Sequence, residues 1–135
     1  MKRQILAIDD SKAIRFLLQT VFGKKYQVIT ASDGCSAMYW LTKKNLPDLI
    51  IADPQLPDME DWELIQYLRN SGLYGKIPVI ILSNSNLDKA KAQEYCREMK
   101  IDHKFVKPFN PIELIQAVDK TIKGIKSKEP ALTIV

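Results

Sequence analysis

Five polar residues, each placed where an apolar stretch stops, carry most of the chemistry available to this sequence. Asp9 and Asp10 follow the stretch 4–8, Asp53 follows 48–52, Ser83 follows 79–82, and Lys107 follows 104–106. Taken singly, each has an ordinary structural explanation. Asp53 suits a turn, because Pro54 pushes the residue before it into an extended backbone. Asp10 or Ser11 suits a helix cap, Ser83 a turn hydroxyl, and Lys107 a solvated cation. Gathered in one place they describe something else. Three carboxylates within about 4–6 Å of one another repel by several kcal/mol per close pair at an effective dielectric near 20, so they require a cation or a shared proton. A hard divalent ion meets that need. Mg²⁺ takes a few oxygen ligands, keeps waters and commonly serves phosphate chemistry. Lys107 adds a point charge for a phosphoryl oxygen and Ser83 a hydroxyl donor. The set describes an acid that accepts a phosphoryl group.

Whether these residues meet depends on the elements that carry them. Residues 4–8, 26–30, 48–52, 79–82 and 104–106 read as strands, apolar along their length instead of alternating, as expected of strands buried on both faces. Ile14, Leu17, Leu18, Val21 and Phe22 share one helical face that stops at Gly23. Ser32-Asp33-Gly34 reads as a turn and cap before a helix over 35–45, with Met38 and Leu41 inward. Leu64, Ile65 and Leu68 mark a third helix over 59–70, closed by Ser71-Gly72. Ser85 and Asp88 have capping-box spacing and predict a fourth helix starting there and reaching 99. Asn110, Pro111 and Glu113 supply an N-cap, a proline at the first helical position and an acid at the third, opening a fifth helix that runs to 123. Five strands alternating with five helices through short loops predict an α/β fold, a parallel sheet with helices on both faces. In such a sheet ligands bind outside the C-terminal ends of the strands, where all five polar residues stand.

The chain's 135 residues fit one domain, expected over 1–124, with a flexible C-terminal tail over 125–135. At 46% hydrophobic and 27% charged it has the composition of a folded protein and not of a disordered one. No apolar run approaches the roughly 20 residues of a membrane span, and the N-terminus turns acidic too soon for a signal peptide. A cytoplasmic protein with no membrane partner is the expectation. Cys35 and Cys96 lack metal-ligand spacing and are expected to be reduced. Of the net charge of +4, residues 86–135 hold ten Lys/Arg against seven Asp/Glu, which suggests a basic face. Nucleic acid is not the expected partner, and nucleotide binding is disfavoured because no Gly-rich phosphate loop follows any strand.

Across residues 3–124 the sequence resembles the receiver domains of two-component response regulators. The resemblance rests on Asp9-Asp10 after the first strand, Asp53 with Pro57 four residues on, Ser83 after the fourth strand, and Lys107-Pro108 after the fifth. It implies a flavodoxin-like three-layer sandwich with strand order 2-1-3-4-5. By this resemblance Asp53 is the phosphoacceptor, Asp10 binds Mg²⁺ directly, Asp9 helps through water, and the Gln55 backbone carbonyl is a further ligand. Ser83 and Lys107 hold the phosphoryl group, and a cis Lys107-Pro108 bond is frequent at this position. The implied partners are a sensor histidine kinase or phosphotransfer protein, and a downstream protein bound through helix 4, strand 5 and helix 5. Such a protein is a phosphoacceptor that assists its own Mg²⁺-dependent phosphorylation and dephosphorylation, not an enzyme acting on a separate substrate.

Three positions depart from the family pattern. Asn84 stands where a small residue usually follows the Ser/Thr, which is expected to alter kinetics, and Asp61 stands where Gly is common, so the turn is expected to place Asp in the left-handed region. Lys104 replaces the aromatic residue that rotates in receivers, while Phe105, one residue later, points to the opposite face of its strand and reads as core. The expected output is therefore movement of the Ser83 loop and helix 4, presenting a basic face that includes Lys89, Lys91, Arg97, Lys100 and Lys104. The alternative is a pseudo-receiver adaptor that binds partners independently of phosphorylation. A Mg²⁺-dependent phosphohydrolase would want a second acid where Gln55 stands.

Overall fold

A computed structural model describes residues 2–85 and 88–125. Five parallel strands, β1 (Gln4–Ile8), β2 (Gln27–Ala31), β3 (Leu49–Ala52), β4 (Val79–Ser83) and β5 (His103–Val106), form one sheet in the order β2-β1-β3-β4-β5. The helices between them are α1 (Lys12–Phe22), α2 (Gly34–Thr42), α3 (Glu63–Asn70), α4 (Lys89–Glu98) and α5 (Pro111–Lys123).

Side chains alternate across a strand, and here both faces are apolar, so each strand feeds two cores. Leu6 and Ile8 of β1, Ile50 and Ala52 of β3, and Val79 and Ile81 of β4 pack with Leu41 of α2, Leu64, Ile65 and Leu68 of α3 and Ala92 of α4. The intervening Ile5, Ala7, Leu49, Ile51, Ile80 and Leu82 pack against α1 and α5 through Leu18, Phe22, Leu114, Val118 and Ile122. The result is a three-layer sandwich. Ile125 packs against the second core, one residue past the expected domain end. The expected tail over 126–135 lies outside the described residues.

Several element starts differ from the sequence reading for identifiable reasons. Helix α3 begins at Glu63, not residue 59, because Trp62 adopts φ 68, its amide donating to the Pro54 carbonyl at 2.8 Å and closing the loop after β3. The left-handed residue is therefore Trp62 and not Asp61. Helix α4 is capped by Asp88, whose carboxylate accepts from the Lys91 amide at 3.1 Å, so it starts three residues after the expected Ser85. A charged cap so close to the first turn outcompetes the hydroxyl; Asn86 and Leu87 lie outside the described residues. Helix α2 stops at Thr42, where the Asn45 side chain donates to the Trp40 carbonyl and Lys44 turns left-handed at φ 65. Lys100 does the same after α4 at φ 53. Glycine or asparagine normally fills such positions, and another residue costs about 1 kcal/mol there.

The β3–α3 loop is anchored to α2 by Asp58, whose carboxylate accepts from the Cys35 and Gly34 amides at 2.8 Å each. A Cβ on Gly34 would meet the flexible Met59 side chain, which would have to shift to admit it. The amides of Cys35 and Gly34 hold the Asp58 carboxyl below the usual carboxylate range. A folded-state pKa below the unfolded one near 4 contributes stability above that value and loses it as pH falls through the folded pKa. Asp58→Ala is expected to lower the neutral-pH melting temperature by a few degrees, and the gap to the parent protein should close on acidification. A gap that persists under acid conditions would show that the carboxylate charge is not what anchors the loop.

Candidate functional site

All five strands run the same way, so every strand-to-helix turn opens on one edge. Each turn there is built by its own local chemistry. Asp9 ends β1 and its Oδ1 accepts from the Ser11 amide at 2.9 Å, while the Ser11 hydroxyl caps α1 through the Ile14 amide. Thus Ser11, not Asp10, is the cap, which leaves Asp10 exposed at the mouth of the crevice. Asp53 ends β3, and its Oδ1 accepts from the Gln55 amide at 2.8 Å. Ser83 closes β4, and its carbonyl accepts from the Lys107 amide at 2.9 Å, which brings the end of β5 alongside. The Lys107-Pro108 bond is cis.

The geometry brings the predicted side chains together. Asp9 and Asp53 are each only 1% exposed, and Ser83 2%. The Lys107 ammonium lies 2.8 Å from Asp53 Oδ2 and 2.8 Å from Asp9 Oδ2. One carboxylate oxygen from each of Asp9, Asp10 and Asp53 falls within a 4.8 Å cluster. Burial pushes the Asp53 carboxyl up, against the downward pull of Lys107 and the Gln55 amide. For Lys107 burial pulls down, but the bonds and charges of Asp53 and Asp9 prevail and its pKa rises.

Asp9 Oδ2 is buried and meets the Lys107 ammonium at 2.8 Å, the same ammonium that lies 2.8 Å from Asp53. One cation thus serves three clustered acids, two buried and one exposed, a set that fits a hard dication taking few protein oxygens and keeping waters. The donor set therefore fits Mg²⁺.

Side-chain contacts that the sequence does not show line the rim of the site. The Asn84 side chain donates to Gln55 Oε1 at 3.3 Å, and Gln55 Nε2 donates to Asp61 Oδ2 at 3.2 Å, a chain from the β4–α4 turn to the β3–α3 loop. Trp62, 2% exposed, stacks on Tyr95 of α4 with ring centroids 5.1 Å apart. Phe105 packs in the α1/α5 layer, 6.4 Å from Phe109. Lys104, on the other face, lies close enough to Cys96 of α4 to oppose the upward push that burial gives the thiol. His103 is half-buried beside Phe105.

Comparison with known proteins adds independent information. A family model described as response regulator receiver domain matches residues 5–119. Protein PilG of Pseudomonas aeruginosa is 32% identical over 118 residues, covering 85% of this chain and 84% of the relative. Sporulation initiation phosphotransferase F of Bacillus subtilis is 34% identical over 122 residues, covering 89% of this chain and 94% of the relative. Among solved structures, the chemotaxis response regulator CheY4 of Vibrio cholerae aligns with a TM-score of 0.76 and 30% identity, over 90% of this chain and 99% of that one. The chain spans about half the length of other curated relatives, transcriptional regulators among them.

Proposed function

Because the chain belongs to the response regulator receiver domain family, we propose that it is a phosphorylation-dependent signalling switch of a two-component phosphorelay, which accepts a phosphoryl group on Asp53. The donor is a phosphohistidine of a histidine kinase or phosphotransfer protein, and the setting is cytoplasmic. The observation that carries this reading is the convergence of Asp9, Asp10, Asp53, Ser83 and Lys107 at one sheet edge, with the Lys107 ammonium shared between two buried acids.

In the reaction, an Asp53 carboxylate oxygen attacks phosphorus in line, the bond from phosphorus to the histidine nitrogen breaks, and an acyl phosphate forms. There is little covalent work for the protein beyond positioning and charge neutralisation. Bound Mg²⁺ would offset negative charge on the phosphoryl oxygens, held by Asp10 and Asp53 with the Gln55 carbonyl, and by Asp9 through water. The Gln55 amide orients the Asp53 carboxylate before attack. Lys107, already against Asp53 Oδ2, passes to a phosphoryl oxygen as the carboxylate becomes an acyl phosphate, and the Ser83 hydroxyl donates to another. The chain acts on itself and not on a separate substrate. Its output runs to a protein partner through α4, β5 and α5.

That output does not use an aromatic side chain at position 104. Movement of the Ser83 turn reaches α4 through Asn84, Gln55 and Asp61 and through the Trp62–Tyr95 stack. The test is purified protein with Mg²⁺ and acetyl phosphate, which should acquire one acid-stable, base-labile phosphoryl group. Beryllofluoride, a phosphoryl mimic, should shift the amide resonances of the β4–α4 turn, α4 and β5. Labelling with an unresponsive α4 would remove this route for the signal. No labelling at all would leave the adaptor that binds independently of phosphorylation.

A further inference from the structure

We propose that the helix-to-strand edge of the sheet, opposite the phosphoacceptor, docks on an anionic lipid bilayer. The two edges carry opposite charge. The segments leading from strands into helices hold eight acids against one lysine, Lys107, whereas the N-terminal residues and the segments leading from helices into strands hold eight Lys/Arg against two acids. A molecule with a net charge of only +4 is therefore strongly polar.

Lysines near helix C-termini also offset the helix dipole, which accounts for some of them. It does not account for Lys76, six residues beyond α3. Lys44 and Lys100 follow the C-caps of α2 and α4, where the dipole also favours a cation, yet both hold left-handed backbone, which costs about as much as the dipole returns. Backbone strain accepted for a charged residue at an exposed site points to a use for the charge. Among the described residues no carboxylate forms an ion pair with Lys44, Lys76 or Lys100.

Apolar residues at the same edge select the partner. Leu46, 45% exposed, and Leu73, 60% exposed, project from the α2–β3 and α3–β4 loops. The Tyr74 hydroxyl, donating to the Leu41 carbonyl at 3.1 Å, ties the second loop to the end of α2. Leucines among lysines suit the interface of a bilayer, where methyl groups enter the headgroup layer and ammonium groups stay with phosphates. Nucleic acid would favour arginine and stacking aromatics instead. Beside the loops a crevice of about 990 Å³, lined by Lys76, Lys100 and Lys120 with Asp102 as its acid, has room for a phosphate headgroup; Arg69 in its wall is held by the Met99, Gly75 and Ile77 carbonyls and by Asp102. Docked this way, the chain presents Asp53 away from the bilayer, open to a partner. The sequence has no membrane span and led to no membrane partner; a peripheral contact needs no span.

Co-sedimentation with vesicles tests the proposal. The chain should pellet with phosphatidylcholine vesicles containing one-third phosphatidylglycerol, stay in solution with phosphatidylcholine alone, and be released by added salt. Combined Lys44→Gln, Lys76→Gln and Lys100→Gln should lower the partition coefficient on the order of 100-fold, from about fivefold per lysine. Leu46→Ser with Leu73→Ser should lower it about tenfold at unchanged charge. Lys89→Gln with Lys91→Gln, at the other edge, should leave it unchanged, and circular dichroism confirms that each variant is folded. Retention equal on neutral vesicles, no retention on anionic ones at low salt, or a triple lysine variant that binds like the parent would each overturn the proposal. So would pelleting without vesicles, which makes a second copy the occupant, or tighter retention of duplex DNA abolished by the same three substitutions.

Discussion

Asp53→Asn is expected to reduce phosphoryl labelling by acetyl phosphate to background and to leave the fold intact. The amide is nearly isosteric and keeps an oxygen to accept from the Gln55 amide, so the β3–α3 loop retains its anchor. What it lacks is the nucleophilic carboxylate that ends β3 against the Lys107 ammonium. Stability at neutral pH should stay within about 1 kcal/mol of the parent, because losing one buried charge offsets losing its ion pair. The parent adds a pH signature. In the metal-free parent burial raises the Asp53 pKa against Lys107, so an NMR titration without Mg²⁺ should place this carboxyl above the usual aspartate value near 4. Mass spectrometry of Mg²⁺-treated parent and variant decides the matter. An equal phosphoryl adduct on both would place the acceptor elsewhere.

Much of this site is written in the sequence because a doubly covered parallel sheet leaves a simple trace. The runs 4–8 and 79–82 are apolar on both faces, so a polar residue that ends them marks the rim. The order of strands is not in that trace. Periodicity says that β1 is buried on both faces but not that it lies between β2 and β3, and only the family resemblance supplied the order. Equally hidden was the loop that shapes the rim. Trp62 takes φ 68 because Tyr95, 33 positions later, stacks on its ring and the Pro54 carbonyl captures its amide. Nothing local marks a tryptophan as left-handed, so the helix seemed to begin at 59. Asp58 likewise looks like a loop acid until α2 is placed beside it, and the chain from Asn84 through Gln55 to Asp61 joins residues 29 and 6 positions apart. Asp88 was within reach, being a better cap than Ser85 by charge alone, but the capping-box spacing favoured the earlier start.

Lys107→Met carries the second large effect, and it falls on stability. Methionine fills much the same volume, so the change isolates the ammonium. Without it Asp9 and Asp53, both 1% exposed, face each other with Asp10 nearby and no cation. Removing one partner of a buried ion pair typically costs 3–5 kcal/mol, and about 3 kcal/mol is expected here because Lys107 is itself partly exposed. That corresponds to a melting temperature lower by on the order of 10 °C. The sign of the pH dependence follows from the acids. Without Lys107, Asp53 keeps the burial that raises its folded-state pKa and loses the ammonium that lowers it, so ionisation of Asp53 penalises the fold as pH rises, and the variant should be relatively more stable at pH 5 than at pH 8. In the parent the raised Lys107 pKa works on the other side. Its contribution is present below the unfolded lysine value near 10.4 and lost only as pH climbs through the higher folded one. A dication between the acids replaces the missing charge, so Mg²⁺ should raise the melting temperature of the variant more than that of the parent. Thermal unfolding of both proteins across pH 5 to 8, with and without Mg²⁺, separates the possibilities. A variant as stable as the parent and indifferent to pH and Mg²⁺ would mean that the ammonium is not what balances these carboxylates.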